Sequence, residues 1–343
     1  MVHARLRKKG PANDEGSMKR TFTLGGMTQE RIVLALAVLL FIVASAVLRG
    51  FLTGDNLIAI LRSVSVLGIL AVGMAIVIIG RGIDLSAVAI MAMSVAWYLE
   101  MLNRSLPDAI ALPAALLGVV FIGALNGFLI AYAEVPAIFA TLASGAFVFG
   151  LARSRLIGQD VITVPKGHWV ATLGQARLLG IPVEVFLFAA IIVLAFLFLR
   201  FSRYGRYVYL MGDNFTAARN MGIPVRPMVV LRYVLSALVA FVAGILTAAS
   251  LFSMNTRIVN STLLYDIVLV AVIGGIGLSG AKGGMRNVVV GALLIGIMLN
   301  AMTILDIPNI YQNLIKSTFL LAAIIVDSLL NPRDEQTAQQ GDI

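Results

Sequence analysis

The chain has 343 residues, 60% of them hydrophobic and only 13% charged, with a net charge of +9 and no cysteine. A soluble globular protein of this length needs a charged surface, so the balance excludes one and selects a polytopic membrane protein, whose lipid-facing Leu, Ile and Val need no such cover. Disulfides, thiolate metal sites and a cysteine nucleophile are excluded as well, and nucleic acid is not an expected partner, because the basic residues lie in the N-terminal tail and between apolar runs.

Residues 1–31 include Arg5, Arg7, Lys8, Lys9, Lys19 and Arg20 with no apolar core directly behind them. They are expected to form a cytosolic tail, not a cleaved leader. Runs of mostly apolar residues bounded by charge, Pro or Gly follow at 32–48, 64–79, 85–102, 109–133, 137–151, 183–199, 228–252, 263–278, 288–305 and 314–330. They predict an all-α transmembrane helical bundle of about ten spans over 32–330, with 51–62 as an interfacial or partly embedded helix. An even count returns the tail at 331–343 to the cytosol. The segment after residue 151 then falls on the opposite side, where Arg153, Arg155, Lys166 and Arg177 strain the positive-inside rule and Asp160 and Glu184 offset them only in part.

The polar island at 201–227 contains GRYVYLMGDNFTAARNMGIPVR. Gly212-Asp213-Asn214 reads as a turn, and 215–221 as about two helical turns stopped by Gly222 and Pro224, with Asp213 or Asn214 as the N-cap. Arg200, Arg203, Arg206, Arg219 and Arg226 against the single Asp213 place the island on the cytosolic side. A short capped helix between glycine hinges suits docking into a partner's groove. An ordered interhelical loop accounts for the same composition.

The stretch from Tyr204 through Asn214, with Ala217-Ala218-Arg219 and Gly222-Ile223, resembles the cytosolic loop of the permease subunits of bacterial sugar-type ABC importers, the ribose, arabinose, xylose and galactose type. Three further segments resemble the same family in the same order. They are Gly73-Met74 through Gly82-Ile83-Asp84-Leu85-Ser86, Asn126-Gly127 with Pro136 through Leu142, and Asp266-Ile267 through Gly274-Gly275 and Leu278-Ser279-Gly280. Arg81, Ala281 and Asn287 stand where the family has glycine, and Leu264 where it has glutamate.

The resemblance implies a type II ABC importer-like permease in the bacterial cytoplasmic (inner) membrane, carrying a monosaccharide or polyol. It implies partners: a second permease copy or paralogue, a cytosolic ABC ATPase and an extracytoplasmic sugar-binding protein. ATP is then used by the ATPase, and this chain is no enzyme and binds no cofactor. Gly205, Arg206, Tyr207, Gly212, Asn214, Ala217, Ala218, Arg219 and Gly222 become the ATPase-coupling loop.

Asp84, Asn126, Asp266, Gly274 and Gly275 are candidate gate, pathway or hinge positions. Capping explains Asp84, with Arg81 close by to pair, and explains Asp266 equally well. Snorkelling explains Lys316, Asp327 and Glu100 near span ends. Gly274-Gly275 and Gly283-Gly284 lack a following Gly-Lys-Ser/Thr and read as close packing and a bend. His3 and His168 lack the spaced partners of a metal site or catalytic dyad. The rival class, a stand-alone secondary transporter or channel for a small polar solute, calls for a carboxylate at mid-depth, whereas the acids here cluster at span ends.

Overall fold

A computed structural model describes residues 29–330. The expected C-terminal tail, residues 1–28 of the expected N-terminal tail (His3 among them) and the side chain of Asp327 lie outside the described residues. In chain order the helices are α1 (Gln29–Val47), α2 (Gly54–Ile79), α3 (Ala87–Asn103), α4 (Asp108–Ala131), α5 (Ala137–Leu151), α6 (Trp169–Gln175), α7 (Val183–Phe201), α8 (Arg203–Asp213), α9 (Phe215–Asn220), α10 (Val225–Leu251), α11 (Leu263–Gly274), α12 (Met285–Ile304) and α13 (Asn309–Leu330). A π-helical turn at Ala152–Leu156 prolongs α5, and a 3-10 turn at Thr256–Asn260 precedes α11.

By length and composition seven helices can cross a membrane: α1, α2, α4, α5 with its π turn, α7, α10 and α12. Shorter apolar helices are α3, of 17 residues, and α11, of 12. With the 22 residues of α13, every expected apolar run overlaps a helix, although the run expected at 263–278 is helical only as far as Gly274. The expected interfacial helix at 51–62 does not form separately, because Gly54 begins one continuous helix of 26 residues that runs into the core. Helix dominates, as the all-α expectation has it, with two short extended pairs added in the connections. Two small antiparallel ladders form, β1 (Val161–Thr163) on β4 (Ser253–Asn255), and β2 (Arg177–Leu178) on β3 (Ile181–Pro182). Pairing satisfies the backbone groups of these short extended stretches between helices.

Helix α2 is apolar all round and buried without interruption from Leu67 to Ile79, so other helices enclose it. α10 packs along α4, α2 and α3. The α4 contact is close because Gly127 has no Cβ; one there would overlap the backbone of Val230. Outer helices α1, α4, α5 and α7 turn Leu36, Leu39, Leu117, Phe121, Phe139, Phe147 and Leu194 outward, the surface a bilayer solvates. One end of the bundle carries α8 and α9, the start of α12 and the turn after α2. The other carries both ladders, α6 and the 3-10 turn.

Candidate coupling face and buried polar sites

The island folds as two helices, not as a loop with one. Ser202 caps α8, its Oγ accepting from the Gly205 amide at 2.8 Å. Asn214, and not Asp213, caps α9, its Oδ1 accepting from the Ala217 amide at 2.8 Å. Gly222, at φ +80, adopts the left-handed conformation that ends α9. Around Ala218, the one buried residue of α9, lie exposed Phe215, Arg219 and Met221. Arg203, Arg206 and Arg226 are exposed on the same end. The result is a projecting short helix with apolar and basic side chains facing outward.

Gly205 and Gly212 are not hinges. Both are buried in α8, and a Cβ on either would overlap backbone: the Phe198 and Leu199 backbone at Gly205, the Ile79 carbonyl at Gly212. Tyr207 lies half-buried between them. Two non-helical segments support α8, residues 80–86 after α2 and 275–284 before α12. The Ala281 amide donates to the Ile79 carbonyl at 2.8 Å, Arg81 Nε to the Ser279 carbonyl at 2.9 Å, and Tyr209 Oη to the Gly283 carbonyl at 2.8 Å. Burial raises the Tyr209 phenol above its ordinary range, which keeps it the donor in that bond. α8 therefore joins α9 to the ends of two helices deep in the bundle.

The departures from the family's glycines acquire a physical reading here. Arg81 sits at φ +67 and Ala281 at φ +58, conformations that cost a side-chain-bearing residue on the order of 1 kcal/mol. Ala281→Gly is expected to raise the unfolding free energy by about 0.5–1 kcal/mol, the relieved strain exceeding the added chain entropy; thermal unfolding of the detergent-solubilised protein measures it. Asn287 compensates for losing a glycine by capping in both directions. Its Nδ2 donates to the Gly274 carbonyl at 2.6 Å and its Oδ1 accepts from the Gly284 amide at 3.0 Å. Gly274 packs on the Asn287 carbonyl, and Gly275, at φ +102, ends α11, so this pair does provide close packing and a bend. Leu264 lies in the first turn of α11 with no special contact that explains the change.

Asp84 and Asn126 come together, both fully buried. The Asp84 carboxylate accepts from the Ser86 amide at 3.0 Å, Ser86 Oγ at 2.5 Å and Ser236 Oγ at 2.8 Å, while Asn126 Nδ2 donates to Ser86 Oγ at 2.9 Å. Thr141 Oγ1 accepts from the Leu85 amide at 3.1 Å, and Tyr233 Oη donates to the Ile83 carbonyl at 3.3 Å. Buried Arg232 donates to the Gly80 carbonyl. Asp84 thus fixes the turn before α3 and is not its cap: Ser86 holds the N-cap position, and the Asp84 carboxylate takes the Ser86 amide and two serine hydroxyls instead of first-turn amides. The cluster pins the segment at 80–86 to α4, α5 and α10. An arginine inside the apolar run at 228–252 was the legible sign of it.

Asp266 stands apart from that cluster, toward the opposite end. Lys316 does not snorkel: its Nζ lies 3.0 Å from both Asp266 oxygens and 2.7 Å from Thr262 Oγ1, with 9% of either charged side chain exposed. A lysine at helical spacing among apolar residues gives no hint of which helix carries its partner. Glu100, by contrast, is near the surface and pairs with Arg104 one turn on, at 2.9 Å. Glu184 is fully buried at the start of α7, accepting from Ser250 Oγ at 2.8 Å with Arg62 Nε at 3.6 Å. It therefore offsets none of the basic surface at that end, whereas Asp160 pairs with Arg153 at 2.6 Å and Arg257 at 2.7 Å. His168 caps α6 through Nδ1, with Nε2 3.7 Å from Asp108, a carboxylate shared with Tyr98 and Trp169.

Residues 56–324 match a family model described as the branched-chain amino acid transport system / permease component. The chain is 32% identical over 309 residues to the ribose import permease protein RbsC of Haemophilus influenzae, covering 90% of this chain and 95% of that one. It is 33% identical over 314 residues to RbsC of Escherichia coli, covering 91% and 97%, and 30% identical over 314 residues to the L-arabinose transport system permease protein AraH of Escherichia coli, covering 91% and 94%. No solved structure gives a significant match. The chain belongs to this family of transport-system permease components, and the resemblance to sugar-type ABC importer permeases drawn from its four motifs is borne out.

Proposed function

We propose that the chain is the transmembrane permease subunit of an ATP-driven importer for a monosaccharide or polyol, with 201–227 docking a cytosolic ABC ATPase. The observation that carries this reading is the projecting α9, capped by Asn214 and exposing Phe215, Arg219 and Met221, seated through α8 on the two non-helical segments. Large apolar and cationic groups on a short capped helix suit a partner's groove. Nucleotide-driven motion of that partner would reach the bundle through α8, shifting a two-state equilibrium to the extent that nucleotide binds the two states differently.

In this reading α3, α11 and α13 cross the membrane with the seven long helices, as about ten spans in a type II-like permease. The α8–α9 end and both termini face the cytosol of a bacterial inner membrane. The chain works as a homodimer or with a paralogue, and an extracytoplasmic sugar-binding protein delivers the solute at the opposite end. ATP hydrolysis belongs to the partner, and this chain binds no cofactor. The rival reading, a stand-alone secondary transporter, is separated by its energy source: uptake by this chain alone, driven by an ion gradient without ATP, would favour it.

Because Arg219 is exposed, Arg219→Glu is expected to leave folding intact and to lower ATP-dependent uptake in vesicles about tenfold or more, the scale of losing a charged contact in a docked interface. Wild-type uptake by the variant, at unchanged ATP consumption, would remove α9 from the coupling site.

A further inference from the structure

Between α1, α7 and α12, near the α8–α9 end, lies a groove of about 420 Å³. Its walls are Ile192, Val193 and Phe196 of α7 and Val289 and Val290 of α12; Glu30 and Arg286 stand at its rim, each in the first turn of its helix. We propose that this groove is a binding site for one membrane phospholipid with an amine-bearing headgroup, an acyl chain lying along the valines and Phe196 and the headgroup held by Arg286 and Glu30.

Four observations select that occupant. The groove opens on the outward side of α1 and α7, whose exposed Leu34, Val38, Val193, Leu194 and Leu197 form a surface for hydrocarbon, not water. Its walls are apolar along the helices and turn charged only at the helix ends, the order of tail and headgroup in a lipid leaflet. The charges at the rim are of opposite sign, and among the described residues neither is engaged in an ion pair. A guanidinium matches a phosphate and a carboxylate matches an ammonium, so both halves of a zwitterionic headgroup find a partner. Finally, residues 1–28, the stretch of chain nearest Glu30, contain no apolar run that would fill such a groove.

The test is a lipid titration of the full-length protein in mild detergent, read by native mass spectrometry, with phosphatidylethanolamine and phosphatidylglycerol in parallel. One tightly held phosphatidylethanolamine per chain is expected. Arg286→Gln is expected to weaken it about tenfold, the scale of one charged hydrogen bond. Val193→Trp, which starts from a side chain 53% exposed, fills the groove and removes the bound lipid without disturbing the core. Glu30→Gln erases the preference over phosphatidylglycerol. Binding unchanged by both Arg286→Gln and Val193→Trp overturns the site, and equal retention of the two lipids by the unaltered protein overturns the headgroup assignment. The cysteine-free sequence allows one more control. A Val193→Cys protein that forms disulfide-linked dimers in native membranes would show that a second copy covers the groove, and the lipid site falls.

Discussion

Asp266→Leu is expected to destabilise the protein by about 3–5 kcal/mol, among the largest effects of any single substitution outside the packed glycines. It leaves the Lys316 ammonium 9% exposed between α11 and α13 with Thr262 Oγ1 as its remaining hydrogen-bond partner. Taking a charge from water is costly, and a hydroxyl does not replace a carboxylate 3.0 Å away. The double substitution Asp266→Leu with Lys316→Met removes both charges; methionine matches lysine in volume while leucine is larger than aspartate, so it is expected to recover most of the loss and lie within about 1–2 kcal/mol of the starting protein. Unfolding of all three proteins in a common detergent, analysed as a double-mutant cycle, checks this. A double variant as unstable as Asp266→Leu would mean that packing, not the charge, sets the effect. Because α13 packs chiefly on α11, the single variant should also show the greatest gain of amide exchange in Asn309–Leu330.

Gly212→Ala is the second large effect, and it separates two roles that a glycine in a polar island can have. A hinge would tolerate one methyl group on a helical backbone and even be stiffened by it. At Gly212, however, the added Cβ would overlap the Ile79 carbonyl and lie 2.7 Å from the Ala281 nitrogen. α8 must then lift from its seat, loosening the Ala281–Ile79 and Tyr209–Gly283 hydrogen bonds. A loss of about 1–3 kcal/mol is expected, the scale of overpacking a filled interior. Faster amide exchange should be confined to 275–286 and α8. Gly284→Ala is the matched control, since its Cβ would meet only Tyr209 Oη, at 3.6 Å, on extended backbone. Equal behaviour of the two variants would refute the close seating of α8. If the permease couples to its ATPase through this helix, Gly212→Ala also lowers ATP-driven uptake while α9 remains exposed for docking.

Much of this was legible in the residues. Apolar runs of 15–25 residues form helices in a bilayer, because no other open-ended segment satisfies its own backbone there. The runs at 32–48 and 288–305 accordingly match α1 and α12 to within a few residues. Asn214 was one of two readable caps for α9, since only a short oxygen-bearing side chain before the turn can accept from its first amides. Local chemistry of this kind is written locally.

What the sequence by itself determined was the membrane class, the helices and the motif order that placed the chain in its family. Tertiary structure alone decided that Arg203–Asp213 is a helix whose glycines are contact surfaces, since a glycine is the same letter whether it bends or touches. It also decided that Lys316 finds Asp266 and that Glu184 lies beside Arg62, pairs separated by 50 or more residues whose meeting depends on how helices pack and not on their spacing along the chain. A charge inside an apolar run announces that it needs a partner, and only the three-dimensional arrangement of the bundle supplies one.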